Sequence, residues 1–299
     1  APRDLHSFPT RRSSDLRKKK PALLVMRYWI PFMAPCLGTI ARLARSNGFT
    51  KVIPITDNII PHERRPFDKL LSRYFLNSCD AYIAMSKSVM EDISEFNKTK
   101  PRLYYPHPLY DNFGPPVTRE HACNALNLDP SFRYLLFFGF IRDYKGLDIL
   151  LQAFADPRFK DKPIRLLVAG EFYSDPLPYR KLIQELNIQS RMILHDQFIS
   201  NAEVPLWFCA ADLIVQPYKT ATQSGVTQTA YFYDKPMIVT RVGGLAEMVA
   251  DGEAGYVTNP DPIEIADAIE RFFTDPNPGR FQNFVNSAKK QFSWEGMRS

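Results

Sequence analysis

The chain lacks several features that would settle a function at once. Its 299 residues contain no run of eighteen apolar residues, and the longest apolar segments are strand-length, so no segment is expected to cross a membrane as a helix. Cysteine is scarce: Cys36, Cys79, Cys123 and Cys209 lie far apart without metal-ligand spacing and read as reduced thiols of a cytoplasmic protein. There is no G-x-G-x-x-G opening and no Walker-type G-x-x-x-x-G-K-[ST], which removes support for a dinucleotide oxidoreductase or a P-loop enzyme. Internal repeats and low-complexity tracts are absent as well. The net charge of +6 is also less than it looks. Residues 1–20 hold seven basic and two acidic side chains, hence +5, and leave +1 for the rest. Total charge therefore gives no basis for a nucleic-acid partner.

The first twenty residues stand apart. The segment HSFPTRRSSDL at 6–16 reads as one frame of a common sequencing adapter, and residues 1–20 are expected to be a non-native scar and tail, outside the fold; a natural basic tail or targeting peptide is the alternative. The whole chain is 45% hydrophobic, and the part beyond residue 20 is long enough for two α/β domains.

From residue 21 onward apolar strand-length runs alternate with helical periodicity. Strands are expected at 22–26, 51–57, 81–85 and 102–105, with helices over 35–47, 67–77 and 86–96. The middle helix carries Leu70, Leu71, Tyr74 and Phe75 as its apolar stripe. Residues 106–116, with four prolines and a glycine, read as a stiff connection. A second alternation follows, with strands at 134–139, 164–170, 191–195, 212–216, 236–240 and 255–257. Helices are expected over 119–126, 147–154, 179–186, 204–209, 225–233, 244–249, 262–273 and 281–292. The fold class is α/β, with two Rossmann-like doubly wound domains, the first incomplete. The expected divisions are 21–115, a partial first domain with linker; 116–285, the second domain; and 286–299, the start of a helix crossing back.

Four strand exits in the second alternation are chemically loaded. The first is a turn after Gly139 that carries Arg142 and Lys145 just before a helix, an arrangement suited to phosphate. The others are Glu171, the stretch 195–199 with His195 and Phe198, and the hydroxyl- and amide-rich stretch 219–228. Singly, each has an ordinary structural explanation: a solvated turn, a helix cap, a core imidazole, an N-cap. Ligands of open parallel sheets bind at the carboxyl ends of strands, so the convergence of all four favours a binding site.

The segments GFIRDYKGLD at 139–148, VAGE at 168–171 and KPMIVTRVGGLAE at 235–247 resemble the donor domain of GT-B glycosyltransferases of family 4. The resemblance covers residues 21–299 and is firmest over 130–260. It implies a retaining transfer of sugar from a nucleoside-diphosphate sugar to a glycan or lipid-linked acceptor, usually without a metal. It places Arg142 and Lys145 on the donor diphosphate, the 197–199 loop with Phe198 near the nucleobase, and Glu171 in the donor pocket beside Gly139. The family's two glutamates, eight positions apart, are missing here: Thr229 stands at the second, and the first falls near 221–223. Gln223, Ser224 and Thr227 are then the groups able to hydrogen-bond a sugar, with Gly225 allowing close backbone approach. Against this stand two alternatives motivated by the missing glutamates, a non-catalytic sugar-nucleotide binding protein and a GT-B-like epimerase.

In the first domain His62 or Glu63, in the HERR loop at 62–65, is the candidate for orienting an acceptor hydroxyl, and Arg64 and Arg65 for an anionic acceptor. An ordinary charged loop is the alternative. His107, between prolines, reads as structural. Arg64, Arg65, Lys69 and Arg73 near Leu70, Leu71 and Phe75 suit a peripheral contact with anionic lipid at the inner membrane face; an ordinary surface helix with a buried apolar face is the alternative, and the favoured one. The glycine-rich loop that opens such acceptor domains is missing before residue 21, so little or no turnover is expected of this chain.

Overall fold

The computed structural model describes residues 18–60 and 65–292. The chain divides into two compact units, Ala1–Pro106 and His107–Ser299.

In the first unit four parallel strands lie in sequence order: β1 (Leu23–Tyr28), β2 (Lys51–Thr56), β3 (Tyr82–Ala84) and β4 (Arg102–Tyr104). Three helices connect them: α1 (Ala34–Arg45), α2 (Asp68–Asn77) and α3 (Lys87–Phe96). Ser86 starts α3 by accepting the Val89 amide at 3.2 Å, satisfying a donor that the first turn leaves free. Helix α2 differs from its expected stripe. Ser72, Phe75 and Leu76 are its buried residues, whereas Leu70 is 62% exposed. The Tyr28 ring stacks on Phe75 at 4.3 Å while its hydroxyl meets the Ser72 hydroxyl at 3.0 Å. That partner lets serine occupy the inner face, and apolar periodicity cannot see it.

The second unit is a six-stranded parallel sheet in the order β10-β9-β8-β5-β6-β7. Its strands are β5 (Arg133–Phe138), β6 (Ile164–Ala169), β7 (Met192–His195), β8 (Leu213–Gln216), β9 (Met237–Thr240) and β10 (Gly255–Thr258). The helices are α4 (Arg119–Ala125), α5 (Leu147–Phe154), α6 (Leu177–Glu185), α7 (Val204–Ala210), α8 (Gly225–Phe232), α9 (Pro262–Thr274) and α10 (Gly279–Ala288). Alternate residues of the central strands feed two separate cores. Tyr134, Leu136 and Leu167 pack with Phe208 and Met237 on one face; Leu135, Phe137 and Val168 pack with Leu150 and Ile265 on the other. Burial on both faces explains why these strands read as continuous apolar runs. The order reverses between β5 and β8, and a crevice opens at such a reversal.

The helix expected over 147–154 is α5 as observed; ahead of it Asp143–Lys145 forms a 3-10 turn and Gly146 takes φ +67°. Two local expectations change. The stretch 244–249 is not a full helix but a 3-10 turn, Ala246–Met248, following Gly243 at φ +46°. The proline-rich stretch belongs to the second unit. The Leu109 amide donates to the Phe292 carbonyl at 3.0 Å, the Tyr233 hydroxyl to the Gly114 carbonyl at 2.9 Å, and the Val117 amide to the Cys209 sulfur at 3.4 Å. Its prolines remove backbone donors, and the remaining groups find partners on this unit.

All four cysteines are unpaired; Cys36 is exposed and the other three are buried. Among the described residues, no helix is long and apolar enough to cross a membrane.

One close approach organises the sheet's carboxyl edge. Gly170, at φ +149°, lies so near Gly139 that a Cβ would collide with the Gly139 carbonyl. Gly170→Ala is therefore expected to destabilise the protein by about 1–3 kcal/mol, or to splay the two strand exits apart. Equilibrium urea unfolding of the variant beside wild type checks this; an unchanged midpoint would contradict the contact.

Candidate functional site

A cleft of about 430 Å³ lies at the carboxyl ends of β5, β6, β7 and β8. Gly139, Lys145, Glu171, Phe198, Gln223, Ser224, Gly225 and Thr229 all line it. Four stretches far apart in sequence therefore meet on one surface. The rest of the wall is largely aromatic, including Tyr110, Phe113, Phe138, Phe140, Tyr144 and Tyr218.

Lys145 has an unusual setting. Its ammonium lies over Gly139, where an added Cβ would come within 3.2 Å of Nζ, and 5.8 Å from the centre of the Tyr218 ring. Burial, and after it the nearby Arg142 guanidinium, push the Lys145 pKa down to about 8. Gly139 itself adopts φ +90°, a conformation that leaves the floor beneath Lys145 without a side chain. Arg142 is placed differently: it is not part of the cleft wall, and its guanidinium stacks 3.7 Å above the Tyr173 ring.

The 219–228 stretch combines structural and recognition features. Ser224 caps α8 by accepting the Val226 amide at 3.3 Å, and its hydroxyl also meets that of Tyr218 at 3.2 Å. Gly225 has the Tyr110 ring against it, and a Cβ there would sit 2.9 Å from that ring. The close approach at this glycine is thus made by the protein's own aromatic ring. The Thr229 hydroxyl donates to the Gly225 carbonyl at 2.8 Å. Thr227 does not face the cleft; it is fully buried and donates to Gln216 Oε1 at 3.1 Å. The Gln223 side-chain nitrogen is buried and has no hydrogen-bond partner in the structure. A buried donor in that state is costly unless something else accepts from it.

Elsewhere the ordinary explanations hold or the residue falls outside the cleft. His195 does not line the cleft and packs on Trp207 at 5.1 Å, and Asp196 pairs with Arg180, so the loop's contribution comes from exposed Phe198 and buried Ile199. His107 is buried, with Nδ1 2.6 Å from the Pro108 carbonyl oxygen. His62, Glu63 and Arg64 lie outside the described residues. Sequence reasoning missed Tyr110 and Phe113, because a proline-rich stretch looks like a linker; their aromatic character was the available signal. It also missed Phe140, Tyr144 and Tyr218, each adjacent to a residue that had been singled out or to a strand end.

The parallel sheet of this order, with a glycine-floored lysine and a capped helix start in an aromatic crevice at its carboxyl edge, is an open α/β domain with its cleft at the reversal of strand order. Residues 132–275 match the model of the family described as glycosyl transferases group 1. It is 27% identical over 251 residues to the D-inositol 3-phosphate glycosyltransferase of Corynebacterium urealyticum, an alignment covering 80% of this chain and 58% of that protein. The chain thus spans somewhat over half the length of that curated relative. Among solved structures, a glycosyltransferase from Rickettsia africae superposes with TM-score 0.78 at 16% identity, covering 99% of this chain and 80% of that one. Anabaena HepE in complex with UDP and glucose superposes with TM-score 0.73 at 15% identity, covering 95% and 77%. Likeness at such identities speaks for the fold, which is GT-B.

The Lys145 setting has a pH signature. Below about 8 its amine is charged and attracts an anion; above that value the charge is lost before binding. Affinity for a phosphate-bearing ligand is therefore expected to fall as pH rises through 8, by at most about tenfold per pH unit. Lys145→Arg, which stays charged, should flatten that limb. Calorimetry between pH 6.5 and 9.5 provides the check.

Proposed function

We propose that the protein to which this chain belongs transfers a sugar, with retention of anomeric configuration, from a nucleoside-diphosphate sugar to a glycan or lipid-linked acceptor. The observation that carries this reading is the single cleft in which Lys145, the α8 start and an aromatic wall meet at the reversal of strand order. The relatives support it by name, as does the UDP held by Anabaena HepE.

In this reading the diphosphate lies against Lys145 and the amino end of α8. Negative charge grows on the departing diphosphate as the glycosidic bond breaks, and a fixed cation with an aligned helix start stabilises that charge most in the transition state. Arg142, itself half-buried, supplies a second cation by leaving the exposed Tyr173 ring, a stacking worth about 0.5–1 kcal/mol. Two cations able to meet the diphosphate give the reaction a metal-independent route. The nucleobase packs on the Phe198–Ile199 side, where the wall is apolar. The Gln223 amide nitrogen donates to a sugar or ribose oxygen. His62 is the residue for the acceptor hydroxyl.

The reaction is assigned to the cytoplasm, at the inner membrane face where lipid-linked acceptors reside. Phe67 and Leu70, 74% and 62% exposed, lie close in sequence to Lys69 and Arg73 and suit a peripheral contact with anionic lipid. The other specific reading is a non-catalytic nucleotide-sugar binder. It is favoured by Glu171 being the sole carboxylate among the described residues lining the cleft. An epimerase, which also needs carboxylates, is disfavoured by the same fact.

Titration with UDP, GDP and their sugars should show binding, and Lys145→Ala should weaken it by about 1.5–3 kcal/mol, roughly 10- to 100-fold. No binding by wild type would end the donor-site reading. A product assay on the full-length protein, with the anomeric configuration read by NMR, then separates a retaining transferase from a binder. Flotation with phosphatidylglycerol vesicles tests the membrane contact, which Leu70→Glu should weaken.

A further inference from the structure

We propose that Lys219 is a positioning residue for the phosphate-binding turn: it ties that turn to the loop leaving β8 and neutralises the turn's own carboxylates. The inference rests on the reading of the cleft as a diphosphate site and names a residue that the reading does not use.

Lys219 Nζ lies 2.7 Å from Asp143 Oδ1 and 3.0 Å from Asp148 Oδ2. Its backbone amide donates to the Tyr144 carbonyl at 2.7 Å. Two residues earlier the Pro217 carbonyl presses on Gly146 so closely that no Cβ fits there. Between them the Tyr144 and Tyr218 rings meet edge to face at 6.1 Å. Residues 143–148 and 217–219 thus form one joined surface, and Lys145 projects from its centre into the cleft.

Charge makes the lysine more than a tether. The stretch 139–148 carries Arg142 and Lys145 but also Asp143 and Asp148, so its formal charge is zero. A neutral turn attracts a diphosphate weakly beyond contact range. Lys219 faces both carboxylates and leaves the joined surface net positive. Of the two pairs, that with Asp148 carries more weight, since both side chains are about one-third exposed, while Asp143 is 84% exposed and well screened. The other Asp148 oxygen is buried with no hydrogen-bond partner in the structure, which makes the carboxylate depend on Lys219 and on the α5 amino end.

The test uses Lys219→Met, Lys219→Arg and the triple variant Lys219→Met/Asp143→Asn/Asp148→Asn. In the ligand-free protein, hydrogen exchange at the Lys145 and Gly146 amides should quicken in Lys219→Met while the β6 amides stay protected. In calorimetry, Lys219→Met should bind UDP or GDP about fivefold more weakly, yet bind uridine or guanosine as wild type does. Lys219→Arg should keep wild-type behaviour in both measurements. The triple variant should regain diphosphate affinity without regaining exchange protection. Unchanged exchange, or an equal loss for nucleoside and diphosphate, overturns the proposal. Wild type that binds no nucleoside diphosphate overturns the donor-site reading instead, and the exchange measurement then decides the tether by itself.

Discussion

The contact between Gly139 and Gly170 is the constraint on which the site depends. Both residues end a strand, and both take backbone conformations that L side chains rarely adopt. Because neither has a side chain, the two exits run together. The Ile141 amide donates to the Glu171 carbonyl at 2.8 Å, and the Tyr173 amide returns to the Ile141 carbonyl at 3.0 Å. This short ladder beyond the sheet fixes where the turn at 143–145 begins. Lys145 can then fold back over Gly139, and Arg142 finds Tyr173 beneath it. A side chain at Gly170 would meet the Gly139 backbone and displace the ladder, whereas one at Gly139 would press on the Lys145 ammonium itself.

The chemistry of the cleft is biased towards oriented hydrogen bonding and aromatic contact rather than negative charge. Ser224, Gln223 and Thr229 line the cleft, and each already has a local task or an open valence. Ser224 starts a helix, Thr229 is bonded to the Gly225 carbonyl, and Gln223 holds an unmatched donor. A polar wall of that kind recognises neutral hydroxyls without adding repulsion towards a diphosphate. Less opposing charge in the cleft leaves more of the field to Lys145.

Much of the fold was legible because the physics is local or periodic. The strands of the second unit announce themselves as apolar runs, since the sheet is covered on both faces. The turn with Arg142 and Lys145 was visible because a strand ends at Gly139 and a helix follows. What stayed hidden depends on partners distant in sequence. Ser72 is interior because Tyr28 reaches it; Thr227 is sealed because Gln216 lies beneath it; Tyr110 forms cleft wall because Gly225 leaves room. Lys219 is the clearest instance. Nothing in its own neighbourhood distinguishes it from a solvated lysine, and its meaning comes from two aspartates more than seventy positions earlier.

The cysteines carry a practical consequence. Cys79, Cys123 and Cys209 are buried, and burial raises all three thiols, Cys79 to about 12, so they hold their protons and react slowly. Cys36, on α1 of the first unit, is the exposed one. The chain therefore offers one addressable handle. A maleimide dye would mark the first unit and leave the cleft of the second chemically untouched, without a single substitution.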